Sequence, residues 1–198
     1  MKKKLEKIEE KLIKFLDQED EIREKSLKVL REITRKISSA IKNIHKGQIK
    51  ESKKDIDACI IKLKKLKKNL KKYPEIYYQG FLHQTEKEVV EAKATLTIIE
   101  KKDIPDLDDF DSLSYIHGLA ESIGEIRRFI LDKMRKEDSK DLDDYLEIME
   151  EIYFFLLNFS YPDAITRSLR KQIDYVRGIV EKTRGEITTF YLFKKKAT

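Results

Sequence analysis

The chain has 198 residues, enough for one domain with a buried core, and it is 40% hydrophobic and 40% charged. Six Gly, three Pro and no Trp among many Lys, Glu, Leu and Ile residues predict an all-α protein of long helices. One cysteine excludes an intramolecular disulfide framework, and no apolar run approaches the roughly 20 residues of a membrane span. The first residues (MKKKLEKIEEK) predict no signal peptide, so we expect a soluble, cytoplasmic protein.

The charge is unevenly distributed along the chain. Residues 1–72 hold 24 basic and 12 acidic side chains, whereas the remainder holds 19 basic and 25 acidic ones. A basic first part beside an acidic second part suits a protein that attracts a polyanion and binds a cation elsewhere. The alternative is that the Lys-rich helices are simply solvated.

The first predicted helix is very long. Apolar residues recur at helical spacing from Leu5 to about Ile44, and no breaker interrupts them before Gly47. Ser52 is expected to cap a second helix, which ends before Pro74. Four further helices are predicted, over residues 75–99, 112–136, 142–159 and 163–184.

The connecting segments and the last residues complete the predicted architecture. An acidic loop over 101–111 ends at Asp111 or Ser112, either of which can cap the fourth helix. The fifth helix is almost wholly apolar over 152–157, which predicts burial in the core or in a subunit contact. The apolar segment 190–193 is expected to dock on a neighbour. We expect one domain, 1–198, made of a basic helical region (1–72), carboxylate-bearing helices (75–136), and core helices with an apolar tail (142–198).

Two pairs of glutamates are the candidate chemical centre. Glu88 and Glu91 lie about 60° apart around a helix axis, and Glu121 and Glu125 about 40° apart. If the two helices face each other across an antiparallel turn, the four carboxylates repel one another and suit a hard divalent cation, Mg²⁺ or Mn²⁺. In so charged a chain, however, glutamate pairs at this spacing are more often simply solvated.

The sequence offers little support for other kinds of catalytic centre. Cys59 lies on an apolar stripe, and His45, His83 and His117 are scattered without a matching acid, so no nucleophilic triad is evident. The chain has no phosphate-binding glycine loop and no zinc-ligand cluster. Glu-x-x-Glu in place of Glu-x-x-His disfavours a di-iron bundle.

Four motifs carry a resemblance to a known family. They are Tyr78-Gln79 followed by EVVEA at 88–92, YIHGLAESIGEI at 115–126, REIT at 31–34 followed by 41–45, and Arg184-Gly185. In this order they resemble motifs of the translin superfamily, in its Trax (translin-associated factor X) branch and of a prokaryotic or archaeal type. The resemblance spans nearly the whole chain.

The resemblance implies a fold, an assembly and an activity. Members are all-α bundles of about six to seven long helices that assemble into oligomeric, octameric shells and bind single-stranded RNA or DNA. The Trax branch carries a Mg²⁺-dependent endoribonuclease, whose catalytic and metal-binding carboxylates correspond here to Glu88, Glu91, Glu121 and Glu125. Glu121 stands where Trax usually has Asp, and the extra methylene alters the reach of that carboxylate. We expect a homo-oligomer, by this resemblance an octamer.

Basic side chains must hold the nucleic acid. The candidates are Arg127, Arg128, Lys64, Lys67, Lys68, Lys71, Lys72 and His117. Arg127 is expected to face away from the acids and Arg128 towards them. His117 either touches substrate or, more often for such a residue, is hydrogen-bonded within the protein.

Two rival functions remain open. The first is a non-catalytic translin-type oligomer that binds single-stranded RNA or DNA, and the second is a purely structural helical protein. Convergence of the four glutamates in the folded chain would favour the enzyme.

Overall fold

The structure, a computed structural model, describes residues 1–197 and all their side chains except those of Asp109 and Ala197; Thr198 of the predicted domain lies outside this range. Within it the chain forms eight α-helices and one short 3-10 helix and no strand, so the all-α, translin-like prediction is confirmed. The helices are α1 (Lys2–His45), α2 (Ile49–Leu70), α3 (Pro74–Tyr77), α4 (Gly80–Ile99), α5 (Ser112–Arg135), α6 (Leu142–Leu157), α7 (Asp163–Thr166) and α8 (Leu169–Ala197), and the 3-10 helix is Leu107–Asp109.

The central pair, α4 and α5, runs in parallel. Ser114 Oγ lies 2.7 Å from His83 Nδ1, and Lys87 Nζ lies 2.7 Å from Glu121 Oε1, so both helices advance in the same direction. The expectation of an antiparallel turn is therefore wrong. The connection over 100–111 is long enough to return along α4, because 12 extended residues reach about 40 Å and a 20-residue helix spans about 30 Å.

The other helices flank this pair. Helices α1 and α2 pack antiparallel to each other and against α4, while α6 and α8 pack against α5. The buried apolar side chains form one cluster, which extends from Leu30 to Ile187. Burial of this surface supplies the main favourable free energy of folding.

A glycine allows α4 and α5 to approach closely. A Cβ built on Gly118 would lie 2.5 Å from Val90 Cβ and 2.7 Å from the Lys87 carbonyl oxygen. Any side chain at this position would push the two helices apart. Gly118 therefore sets the spacing at which the two glutamate-bearing helices meet.

Several helix boundaries differ from the predicted ones. Ser52 lies inside α2, where its hydroxyl donates to the carbonyls of Ala40 and Gln48 rather than capping the helix. The helix predicted over 75–99 is divided at 78–79 into α3 and α4. Asp111 caps α5 as predicted, since its carboxylate accepts from the backbone N–H groups of Leu113 and Ser114.

The last predicted helix also differs. Arg167 and Ser168 have φ angles of 52° and 66°, and this left-handed turn separates α7 from α8. Helix α8 then continues through Arg184-Gly185, so the apolar segment 190–193 is helical. Phe190 and Tyr191 pack against the core, whereas Phe193 is exposed.

The apolar part of α6 is only half covered. Ile152 and Leu156 are buried, but Phe154, Phe155 and Leu157 are exposed. Such residues fit the predicted subunit contact better than the chain's own core. Among residues 1–197, no helix is long and apolar enough to span a bilayer.

Candidate functional site: a cleft with acidic and basic walls

A cleft of about 580 Å³ lies where α4 and α5 meet the turn between α7 and α8. Glu91, Glu121 and Glu125 line one side, and Arg167 and Lys171 line the other. The remaining lining residues are Lys87, His117, Ala120, Gly124, Ser168, Gln172 and Tyr175. The sequence-predicted acids therefore meet in one cleft, with Glu88 outside its lining.

The pKa of Glu91 reflects how close these acids lie to one another. Burial, and after it the charges of Glu121, Glu125 and Glu88 in that order, together raise the pKa of its carboxyl to about 8, opposed by Lys87. All three other predicted acids thus lie close enough to act on Glu91. This is the behaviour of carboxylates that share one site.

Protein side chains already contact two acids of this wall. Lys87 Nζ lies 2.7 Å from Glu121 Oε1, and His45 Nε2 lies 2.5 Å from Glu125 Oε2. Glu88 accepts only a 3.3 Å hydrogen bond from the amide of Gln84.

The acids do not stand in ligand positions. In the part of the chain that the structure describes, no group of three or more His, Cys, Asp or Glu side chains is arranged to hold a metal ion. Carboxylate oxygens nevertheless have the chemistry that Mg²⁺ and Mn²⁺ prefer. The donor set therefore fits the metal, while Glu121 and Glu125 contact Lys87 and His45 instead.

The basic wall was missed by sequence reasoning. Arg167 and Lys171 are exposed, and Tyr175 is 69% exposed one turn beyond Lys171. The left-handed turn at Arg167 and Ser168 brings these side chains opposite the acids. The i, i+4 spacing of Lys171 and Tyr175 is the one signal that a sequence search could have used.

His117 fastens the basic wall to α5. Its Nε2 lies 2.8 Å from the Thr166 carbonyl and its Nδ1 2.5 Å from Gln172 Oε1, while the Gln172 amide donates back to the His117 carbonyl. The imidazole is only 7% exposed. These contacts are those of a structural histidine rather than of an RNA ligand.

His83 lies behind the same turn. Burial, and after it the nearby charges of Arg167 and His117, together lower the pKa of its imidazole to about 4. His83 is therefore neutral at neutral pH, and its Nδ1 can accept a hydrogen bond from the hydroxyl of Ser114. Because the charge of Arg167 affects the pKa of His83, the Arg167 guanidinium lies beside α4.

The two predicted arginines diverge. Arg127 donates to Thr183 Oγ1 and pairs with Glu186, which ties α5 to α8 away from the cleft. Arg128 is more exposed, and its guanidinium lies 3.9 Å from Glu125 Oε2. This is the arrangement that the sequence predicts.

The predicted lysines lie on α2 or just beyond its end, outside the cleft. Lys67 forms an ion pair with Glu86, which is only 1% exposed, so it serves the α2–α4 interface. Lys64 and Lys68 are exposed on α2, and Lys71 and Lys72 are exposed just beyond its end. None of the five lines the cleft.

Proteins similar to this chain are found by comparison of both sequence and structure. No family model matches the chain. The uncharacterized protein MJ0175 of Methanocaldococcus jannaschii is 39% identical over 183 residues, which cover 90% of this chain and 81% of that protein.

Solved structures of other proteins share the fold of this chain. The crystal structure of AfC3PO has a TM-score of 0.86, and the AfC3PO–duplex RNA complex has 0.85; both are 33% identical and cover 92% of this chain and 96% of the other. The apo-NeC3PO crystal structure has a TM-score of 0.82 at 22% identity, covers 91% of this chain and 96% of its own, and supports the fold alone. The molecule is thus an all-α protein of the C3PO type. The chain belongs to the translin superfamily.

Proposed function

We propose that this protein is a divalent-metal-dependent endoribonuclease of the Trax type that binds RNA in the cleft between α5 and α8. The observation that carries this proposal is Glu91, whose pKa is raised to about 8 by burial and by three other glutamates around it, in a cleft that Arg167 and Lys171 also line. A polyanion held on the basic wall would present its phosphates to the acidic one.

The four glutamates would bind the metal ion, and neighbouring side chains contact two of them. Mg²⁺, or Mn²⁺, held by Glu88, Glu91, Glu121 and Glu125 would neutralise the scissile phosphate and lower the pKa of a water molecule. Without a metal, Glu121 is paired with Lys87, and Glu125 is hydrogen-bonded to His45. Glu121, which stands where Trax usually has aspartate, is paired with Lys87 on the neighbouring helix.

Arg167 and Lys171 would bind backbone phosphates. Their guanidinium and ammonium groups are exposed, and such contacts fix the position of a strand without reading its sequence. Tyr175 offers an exposed ring on which a base can stack. We place RNA contact on these three residues and on Arg128, rather than on the α2 lysines.

The form of the RNA and the assembly are further parts of the proposal. Single-stranded RNA stays our predicted substrate, with single-stranded DNA as a second ligand, while AfC3PO has been solved with duplex RNA. We propose a homo-oligomer, by resemblance an octamer, working in the cytoplasm. Exposed Phe154 and Phe155 on α6 support self-association.

A non-catalytic RNA-binding oligomer is the second candidate. The ion pairs of Glu121 with Lys87 and of Glu125 with His45 favour it, because both would have to open before these acids could bind a metal. In that case the acidic wall would only shape the cleft.

Cleavage assays on labelled single-stranded and duplex RNA separate these candidates. We expect cleavage with Mg²⁺ or Mn²⁺, none with EDTA, and none by Glu91→Gln or Glu125→Gln. Glu147→Gln, an exposed acid on α6, is the matched control and should cleave normally. RNA binding without cleavage in any metal would favour the second candidate, and cleavage that survives both cleft variants would refute the proposed site.

Binding measurements test the basic wall. Arg167→Ala and Lys171→Ala should each weaken RNA binding and lower the slope of log K against log salt by about 1. Lys72→Ala, at an exposed position just beyond the end of α2, is the control and should change the slope less. A larger effect of Lys72→Ala than of Arg167→Ala or Lys171→Ala would instead place the RNA path along the α2 lysines.

A further inference from the structure

The first part of α1 extends beyond the rest of the helical body. Helices α1 and α2 pair antiparallel, with Lys36 beside Asp55 and the Ser52 hydroxyl donating to the Ala40 carbonyl. In this register the end of α2 at Leu70 lies opposite about residue 23, and the first buried residue of α1 is Ser26. About 18 residues, or roughly 27 Å of helix, therefore overhang.

The overhang carries an apolar stripe. Leu5, Ile8, Leu12 and Phe15 follow a 3,4 spacing on one face, and their exposed fractions lie between 44% and 58%. Ile22 and Ser26 continue the same spacing into the part of α1 that packs on the body. No other segment of residues 1–197 covers the overhanging stripe. A stripe repeating at 3,4 intervals is the seam of a two-helix coiled coil.

The charges along the overhang are segregated. Residues 1–8 contain four Lys and one Glu, whereas residues 17–24 contain five acids and one Arg. Two overhangs in parallel would set like charges side by side. Two overhangs in antiparallel orientation bring the basic end of each towards the acidic end of the other, which favours that orientation.

We propose that the α1 overhang is an interaction surface for a second copy of this chain, which it pairs with as an antiparallel two-helix coiled coil. The interface is isologous, since the same stripe serves both copies. Centring the pair on the stripe places Ile8 opposite Leu12 of the second copy. This inference is independent of the proposed nuclease activity.

A membrane surface fits the overhang less well. Helices that lie on membranes present a Lys- or Arg-rich polar face to anionic lipid. Residues 1–24 instead hold seven basic and eight acidic side chains, so they have almost no net charge. The charge pattern favours a partner with the same two charged ends.

Disulfide cross-linking in the full-length protein tests this pairing. Co-expressed Ile8→Cys and Leu12→Cys chains should form a mixed disulfide dimer on mild oxidation, well above the level that either variant gives alone. Glu10→Cys, at the same height on the opposite face of α1, is the matched control and should cross-link little. Native Cys59 is 2% exposed and adds little background. Cross-links of Ile8→Cys mainly with itself would indicate a parallel pair and would overturn the proposal, as would no mixed dimer.

Charge reversal gives a second, independent readout. Lys2, Lys3 and Lys4 changed together to Glu should reduce the mixed cross-link about tenfold, since several exposed charge pairs are reversed in each dimer. Changing Asp17, Asp20 and Glu21 to Lys in the same chain should restore it. Absence of restoration would overturn the antiparallel arrangement. Binding of the wild type, but not of Leu12→Glu, to vesicles of anionic phospholipid would overturn the choice of a second copy.

Discussion

Replacing Glu91 with Gln should stabilise the protein increasingly as the pH rises. Its pKa is raised from 4.5 to about 8 in the folded chain, by burial and by three neighbouring glutamates. Between these two values the unfolded chain releases the proton while the folded chain retains it. The contribution of Glu91 to folding stability therefore falls as the pH rises from about 4.5 to about 8.

The magnitude follows from the pKa difference. Each pH unit in this window costs the folded state about 1.4 kcal/mol, and the cost levels off as the pH reaches the folded pKa. Between pH 6 and pH 8 the wild type should thus lose about 2 kcal/mol relative to Glu91→Gln. The amide has nearly the same shape as the carboxyl and no proton to release, so its cleft packing is retained.

Urea unfolding at pH 6, 7 and 8 measures this difference. EDTA keeps metal ions from stabilising the wild type, and Glu10→Gln, an exposed α1 variant, controls for the loss of one carboxylate. We expect the stability gap between Glu91→Gln and wild type to widen with pH. A gap that stays constant from pH 6 to pH 8 would refute the reasoning, because the four acids would then not share one environment.

Three further predictions concern the packing around the cleft. Gly118→Ala should destabilise the protein by about 1–3 kcal/mol in thermal unfolding, because the added methyl strikes Val90, whereas Gly124→Ala meets nothing within 4 Å and should not. Lys67→Met should cost about 3 kcal/mol in urea unfolding, since it leaves the carboxylate of Glu86 buried without its cation; a loss below 1 kcal/mol would contradict this. Arg127→Ala should lower stability by about 1–2 kcal/mol and leave RNA affinity unchanged, and a selective loss of affinity would place Arg127 in the RNA path.

The helices themselves were largely readable from the sequence. Apolar periodicity and the scarcity of breakers located α1, α2, α5 and α6, because a helix buries every third or fourth residue on one face. The Asp111 cap was predictable for the same local reason. Arg184-Gly185 misled the prediction of an end to α8, because glycine inside a helix is tolerated when both neighbouring turns pack.

The relative direction of α4 and α5 was not readable. A 12-residue connection permits either a direct turn or a return along the helix, and local propensity does not choose between them. What decides is a tertiary fit: Gly118 accepts Val90, and Ser114 meets His83. Neither of these contacts can be recognised from the sequence of one helix alone.

The acidic and basic halves of the site differ in predictability for a physical reason. Glutamates three or four apart share a helix face whatever the rest of the chain does, so both pairs could be identified, and the pKa of Glu91 reports that they meet. The basic wall depends instead on a left-handed turn at Arg167, more than 40 residues after Glu125. Its position opposite the acids is fixed by His117, which spans from α5 to Thr166 and Gln172. His117, a candidate RNA ligand from the sequence, thus contacts the segment that carries Arg167 and Lys171 and holds it against α5.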